Sequence, residues 1–389
     1  MASSFSNRSL VCPLLREIYF AGHITKPQAA QRLGVTAVTT HHLINHLLEQ
    51  GILSQQGSTG NGPGRRAVCY SIRGEYGFLV SLDIHEGGFC IRAYSLSYKR
   101  LSEKRFALDM TYSSQTLEKI AAEACKTIQH LNIVHGRCLG LGVSLPGTTD
   151  HTTGVIYHLP RLAGWDYLPL KALLEQQTGV SVFLDNDANA MILAKKWRKE
   201  LQGHRDAVYL SITQGIGAGV LCDGHLAYGR HSNFGEIGHT TLQPNGPLCT
   251  CGNRGCVDAM ASDTALLREI SERTGPTQHA DIHQAVSFAQ ETAAGRDVLQ
   301  FICQNIILCI DNIIKMYDPG IVFIGSTWLG DFPSLFDQIQ EKVFARAHWI
   351  RRNELQLILS NVSEFRYCSG CAVALENLFS DESSVFSSL

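Results

Sequence analysis

"EIGHTTLQPNGPLCTCGNRGCVDAMAS", residues 236–262, gathers three cysteines at Cys-x-Cys-x4-Cys spacing, Cys249, Cys251 and Cys256, with His239 ten positions before the first. Three thiolates and one imidazole are a donor set that suits zinc. Four protein ligands leave no open position, so the spacing predicts a closed, structural Cys3His site rather than a catalytic one. The competing reading is three small cysteines packed in a core. Pro244, the Asn245-Gly246 pair, Gly252 and Gly255 speak against it, because so turn-rich a segment has little core to bury thiols in.

The chain around this segment has 389 residues, room for about two or three domains with cores of their own. Apolar residues make up 44% and charged residues 17%, the balance of a soluble globular protein, and the net charge of -2 exerts no global pull toward nucleic acid or membrane. DNA binding, if present, must therefore come from a local patch. The opening "MASSFSNRSLVCPLLREIYF" lacks a basic stretch followed by an apolar one, and no segment approaches the roughly 18 apolar residues of a membrane span. Neither a secretory leader nor membrane insertion is expected. Thirteen cysteines, an odd number scattered through helix-like and strand-like segments, suit a reducing compartment, and the cytoplasm is expected. The Cys368-x-x-Cys371 pair opens an apolar helix and reads as packing rather than redox chemistry.

Residues 10–53 carry three helical patterns with short connections. In "LVCPLLREIYFAG", Leu10, Leu14, Leu15 and Ile18 form an apolar stripe that stops at Gly22. "TKPQAAQRLG" has Thr25 as N-cap, Pro27 in its first turn and Gly34 as its stop. "TAVTTHHLINHLLEQG" follows after Val35, capped by Thr36 and ended by Gly51. Its Leu43, Ile44, Leu47 and Leu48 face a core, which leaves Thr36, Thr39, His42, Asn45 and His46 on the outer side. A helix, a tight Gly-containing turn and a second helix with a polar leading edge are a helix-turn-helix signature. "GILSQQ" and "AVCYSI" then read as two short strands around a Gly-rich tip, a wing closed by Arg65 and Arg66. The competing reading is a three-helix packing module that touches no DNA; the lack of Lys and Arg in the third helix favours it. Hydroxyl, amide and imidazole groups nevertheless read base edges, while Arg8, Arg16, Arg32, Arg65 and Arg66 can supply phosphate contacts. Thr36, Thr39, His42, Asn45, Arg65 and Arg66 are the expected DNA-binding residues.

From Tyr76 the pattern becomes α/β. "GFLVSLDIHEGGFCIRAYSL" is a strand, a turn at Glu86-Gly87-Gly88 and a second strand; "RFALDMTY" reads as a third. A helix at 114–131, the strand "CLGLGVSL", a helix at 168–178 and the strand-to-helix segment "GVSVFLDNDANAMILAKKW" follow. "DAVYLSITQGIGAGVLCDG" restarts the strand, glycine turn, strand unit. After the cysteine segment come helices at 259–273, 280–293 and 296–317, the strand "GIVFIGS", and helices at 333–347 and 370–379. Two halves with the same opening predict a duplicated, two-lobed fold with a ligand cleft between the lobes. The expected domains are a winged helix-turn-helix at 1–75, a first α/β lobe at 76–194 completed by the C-terminal helix 370–389, and a second lobe at 195–369 carrying the zinc motif.

"EIGH…CTCGNRGCVDAMAS", preceded by "DNDANA" and "QGIGAGV", resembles the ROK family of sugar kinases and sugar-responsive repressors, and the winged helix ahead of it resembles the repressor branch. The resemblance spans roughly residues 10–380. The cysteine cluster with "CGNRGC" is its specific part, whereas "GIGAG" alone is weak. It implies an actin-like ATPase fold for both lobes and a zinc whose loop shapes a sugar pocket. It assigns sugar contacts to Gly147, Asn186, Asp187, Glu236, His239 and Asp258. Carboxylates and amides suit pairs of adjacent hydroxyls. Asp258 departs from the family pattern, which has Glu there, so the identity of the sugar is left open.

In the kinase branch the counterpart of Asp187 is the catalytic base. Phosphoryl transfer also needs the nucleotide held and its charge neutralised. Where the family has Asp-x-Gly-Gly-Thr this chain has "DIHEGGF", with His85 and Glu86 in the places of the two glycines. Gln214 replaces the Thr of Gly-Thr-Gly, and "FIGSTW" lacks the usual double glycine. Side chains and a negative charge there obstruct the approach of phosphates. The expected function is a sugar-responsive transcriptional regulator, a repressor of carbohydrate-utilisation genes, without catalysis; the alternative is an ATP-dependent sugar kinase with an appended DNA-binding module. Expected partners are operator DNA, a sugar or sugar-phosphate effector, a second copy in a homodimer or homotetramer and, as a rival effector, a sugar-transport protein.

Overall fold

The computed structural model describes residues 9–59, 67–159, 162–275, 281–346, 354–361, 369–380 and 386. Arg8, Arg65, Arg66 and Cys368 lie outside them. The chain divides into two compact units, residues 1–186, 197–199 and 367–389 in the first, and 187–196 with 200–366 in the second.

The first unit opens with helices α1 (Val11–Ala21), α2 (Lys26–Leu33) and α3 (Ala37–Glu49). Gly22 ends α1 at φ 78. Thr25 and Gln28 cap α2 reciprocally, side chain to backbone in both directions, which satisfies two otherwise orphaned amides. Thr36 caps α3 by accepting from the Thr39 amide at 3.1 Å. Loss of either cap costs about 0.5–2 kcal/mol. Strands β1 (Ile24–Thr25), β2 (Leu53–Thr59) and β3 (Ala67–Ile72) form one antiparallel sheet in the order β1-β3-β2. The two-residue strand β1 is too short to show any alternation, and it has no counterpart in the sequence reading.

Beyond this module lie β4 (Gly77–His85), β5 (Gly88–Ser95), β6 (Arg100–Ala107), α4 (Ser114–His135), β7 (Arg137–Leu145), β8 (Thr148–Thr149), β9 (Ile156–His158), α5 (Leu170–Thr178) and β10 (Val182–Asn186). The sheet order is β10-β7-β4-β5-β6; β4, β5 and β6 form an antiparallel meander, and β7 and β10 run parallel to β4. The third strand, expected over 105–112, starts earlier, because Tyr98 at φ 62 closes the turn between Ser95 and Lys99 and sets the register. Phe78, Val80, Leu82 and Ile84 alternate into a core shared with α4 and α5. The intervening Ser81 and Asp83 meet the start of α12 (Ser369–Leu378) on the other face. Gly142 on β7 is required there: a Cβ would strike the backbone carbonyl of Gly370.

Helix α6 (Asp187–Trp197) leads into the second unit: β11 (Ala207–Ile212), β12 (Ile216–Cys222), β13 (His225–Leu226), α7 (Val257–Ala261), α8 (Asp263–Thr274), α9 (Ile282–Glu291), α10 (Ala293–Tyr317), β14 (Ile321–Ser326), α11 (Pro333–Arg346) and β15 (Gln356–Asn361). The order β13-β12-β11-β14-β15 repeats the plan of the first sheet: an antiparallel meander, with two parallel strands added on the free side of its first strand. Two units with one topology are the duplication that the repeated strand, turn, strand opening predicts. The helix expected over 259–273 is two helices. Ser262, at ψ 168, ends α7 and caps α8 through the Ala265 amide. Helix α10 has the length and apolarity of a membrane span, but its apolar face is buried among α7, α8, α9 and α11.

Candidate functional site

The cysteine segment is a knuckle built from turns. Leu242 and Gln243 donate to the Gly255 carbonyl, Gly255 donates to Pro247, and Cys249 donates to Asn253 at 2.8 Å. Gly255, at φ 66, passes so close to Gln243 that no side chain fits. These turns bring His239, Cys249, Cys251 and Cys256 together, their donor atoms all within 4.8 Å of one another. The Sγ atoms of Cys251 and Cys256 are 3.7 Å apart, and Cys249 Sγ lies 3.6 Å from His239 Nδ1. A tetrahedron with zinc–sulfur bonds of about 2.3 Å has edges of about 3.8 Å, so the donors fit the ion. Burial, then the neighbouring sulfurs, push the Cys256 thiol up, whereas the Asn253 amide draws Cys251 down. A bound dication would supply the missing counter-charge.

The six expected sugar contacts fall in both units. In the first, Gly147 sits at φ 89, where a Cβ would strike the His158 carbonyl, and Asn186 Nδ2 donates to the Gly147 carbonyl at 3.4 Å. His158 Nδ1 pairs with Asp166 Oδ1 at 3.0 Å beside them. In the second unit, Asp187 is the exposed first residue of α6. Glu236 accepts through its backbone carbonyl from the His239 amide at 3.2 Å. Glu236 is open to solvent at its surface but densely surrounded, and this raises its carboxyl while His239 partly offsets the rise. His239 turns its Nδ1 to Cys249. Asp258 Oδ1 accepts from the amide of Ile216, the first residue of β12, at 2.7 Å.

The motif at Asp83 is a tight hairpin: His85 pairs with Gly88 around a Glu86-Gly87 turn. Asp83 is buried. Its Oδ1 accepts from Ser369 Oγ at 3.0 Å and the Gly370 amide at 3.1 Å, and its Oδ2 accepts from Ser81 Oγ at 2.7 Å. Burial pushes this carboxyl up to about 6 against these bonds. Between the ordinary value near 4 and about 6 the folded chain holds a proton that the unfolded chain has released. Stability from this group therefore falls as pH rises through that window, by on the order of 1.4 kcal/mol per unit, and levels above it. Asp83→Asn lacks this term. Its stability relative to the parent is expected to improve by about 2 kcal/mol between pH 4 and pH 7 in urea melts; a difference independent of pH would refute the assignment.

On α3, Thr36 and His42 are exposed and Thr39 and Asn45 half-buried. Thr36 Oγ1 and Thr39 Oγ1 share a 2.9 Å bond, and Asn45 Oδ1 accepts from Lys26 Nζ at 2.9 Å. His42 lies edge-on to His41. His41 is also exposed, and Val38 is 66% exposed. Of the arginines expected at phosphates, Arg32 pairs with Glu17 at 3.1 Å and Arg16 donates to the Phe379 carbonyl at 2.7 Å.

Residues 82–374 match the model of a family described as the ROK family. The xylose repressor of Bacillus spizizenii is 25% identical over 362 residues, covering 90% of each chain. The glucokinase of Thermotoga maritima is 34% identical, but over 52% of this chain and 68% of its own. A solved ROK family transcriptional regulator, described as a homolog of the E. coli MLC protein, has the same fold, with a TM-score of 0.83 and 22% identity over 96% of both chains.

Proposed function

The chain belongs to the ROK family, and from that premise we propose that it is a sugar-responsive DNA-binding transcriptional regulator, a repressor of carbohydrate-utilisation genes. One observation carries this reading. The family domain begins at residue 82, behind three helices and a hairpin, and the alignment to a repressor covers 90% of this chain, more than the family domain spans, whereas the glucokinase alignment covers 52%. Helices α2 and α3 form the helix-turn-helix, with Gly34 in the left-handed conformation at the turn, and β2 and β3 form the wing. On this reading Thr36, Thr39, His42 and Asn45 read bases, and Arg65 and Arg66, which lie outside the described residues, bind phosphates.

The effector is a sugar or sugar phosphate held by Gly147, Asn186, Asp187, Glu236, His239 and Asp258. Zinc on His239, Cys249, Cys251 and Cys256 supplies rigidity, which aims Nε2 of His239. Catalysis is absent on this reading: Asp83 is spent inside the protein, and Asp258 consumes the backbone amide of Ile216 at the start of β12. Regulation is a population shift. Moving the DNA-binding arrangement from 99% to 1% needs about 5.5 kcal/mol of differential sugar binding. Affinity for DNA comes from two copies on paired half-sites in a homodimer or homotetramer acting in the cytoplasm.

The full-length chain is expected to select a palindrome from random duplexes, to release it with one of xylose, glucose, N-acetylglucosamine or their phosphates, and to show no sugar-dependent ATP turnover. Robust turnover abolished by Asp187→Asn would return it to the kinases. Release by a membrane sugar-transport domain and by no sugar would replace the effector.

A further inference from the structure

Helix α1 carries Cys12, Arg16, Tyr19 and Phe20 at the spacing of one stripe. Each of the four has a partner outside the DNA-binding module. Tyr19 is stapled at both ends: its hydroxyl donates to the Trp197 carbonyl at 2.9 Å, and its ring lies edge-on to the Trp197 indole at 5.0 Å. Phe20 stacks on the same indole at 5.2 Å, and Phe379 stacks on it at 5.4 Å. Trp197 is 1% exposed, and its Nε1 donates to Glu376 on α12 at 2.8 Å. Arg16 and Cys12 reach the last carbonyls of the same stretch, those of Phe379 and Leu378.

We infer that Trp197 is a positioning residue for DNA binding, the seat that fixes the angle at which the module is carried on its lobe. Trp197 is also the last residue of α6, and Asp187 is the first. One continuous helix thus joins a residue that engages the sugar to the carbonyl that Tyr19 grips, and a helix transmits a tilt or an axial shift at one end to the other as a rigid body. The effector acts by moving this seat. The second statement rests on the reading of Asp187 as a sugar ligand; the first does not. A changed angle leaves each module able to bind a half-site but misplaces it for a second half-site about 34–36 Å away.

The test uses full-length Trp197→Ala, Trp197→Phe and Tyr19→Phe on two duplexes, the palindrome selected by the parent chain and the same duplex with one half scrambled. Trp197→Ala is expected to weaken palindrome binding at least tenfold and to lose the change caused by sugar, with half-site binding within twofold of the parent. Trp197→Phe keeps most of both. Tyr19→Phe, which removes only a hydroxyl and leaves folding intact, is expected to cost about threefold to tenfold on the palindrome alone. The seat is overturned if palindrome binding by Trp197→Ala and Tyr19→Phe stays within twofold of the parent, or if half-site binding falls in step, which would make Trp197 a folding residue only. A parent chain that responds to no sugar removes the effector reading and the link through α6 with it, while the ratio of palindrome to half-site still decides the seat.

Discussion

Cys251→Ser is expected to lose its zinc and its sugar response together, whereas the freshly purified parent carries close to one zinc per chain. The reason is how little else holds residues 240–256. Among the described residues, its apolar packing is Leu242 against the core of the second unit and a small cluster of Ala259 with Cys249 and Cys256, which are themselves metal donors. The turns set Cys256, buried, against the neighbouring sulfurs, which raises its thiol, and a bound dication would offset that. Structural zinc sites are worth about 10–16 kcal/mol, so removing one of four ligands releases a large part of the energy that shapes the loop. His239 then loses its anchor at Nδ1, and the sugar loses a ligand of fixed direction. Metal analysis that finds no zinc in unchelated parent protein would refute the site, and a Cys251→Ser chain that keeps both zinc and sugar response would refute its role.

Asp187→Ala is expected to abolish the sugar-induced thermal shift while operator binding in the absence of sugar stays within a few fold. A carboxylate at this position can accept from two neighbouring hydroxyls, and bonds to a charged group contribute about 1.5–3 kcal/mol each. Loss of both lowers sugar affinity at least about a hundredfold. Alanine keeps α6 helical, and the penalty from losing an acidic residue in the first turn is only about 0.3–1 kcal/mol. The chain becomes a repressor that no sugar releases. A sugar-binding midpoint unchanged from the parent would remove Asp187 from the effector site.

What the sequence could reveal here was what is local. The metal donors are spaced within one turn-rich segment, Thr25 and Thr36 announce their helices, and the two strand, turn, strand openings announce the duplication. The break at Ser262 was readable too, since Ser-Asp before an apolar run is a capping signal, but the run of helix-favouring residues on both sides hid it. What escaped depends on residues far apart. Asp83 reads as a surviving phosphate ligand until Ser369 and Gly370 arrive on its oxygens. Trp197 stands in the sequence only as the end of a strand-to-helix segment, and its role emerges when Tyr19 and Phe379 close on it. Asp258 reads as a sugar ligand one methylene short, and its bond to Ile216 gives that shortness a use. No periodicity or spacing encodes such meetings.

The dependence of the first sheet on α12 also has a cost in time. Asp83 and Ser369 are 286 residues apart in the chain. At about 5–20 residues per second of synthesis, the sheet face that α12 covers waits on the order of 15–60 s for its cover. During that interval a nascent chain carries one finished sheet with an open side, the kind of surface that sticks to its neighbours. Overproduction at high temperature is therefore expected to drive this protein into inclusion bodies unless chaperones hold the emerging chain. A premature stop codon after Arg366 would leave a polypeptide that is nearly complete by length yet never acquires a native first lobe.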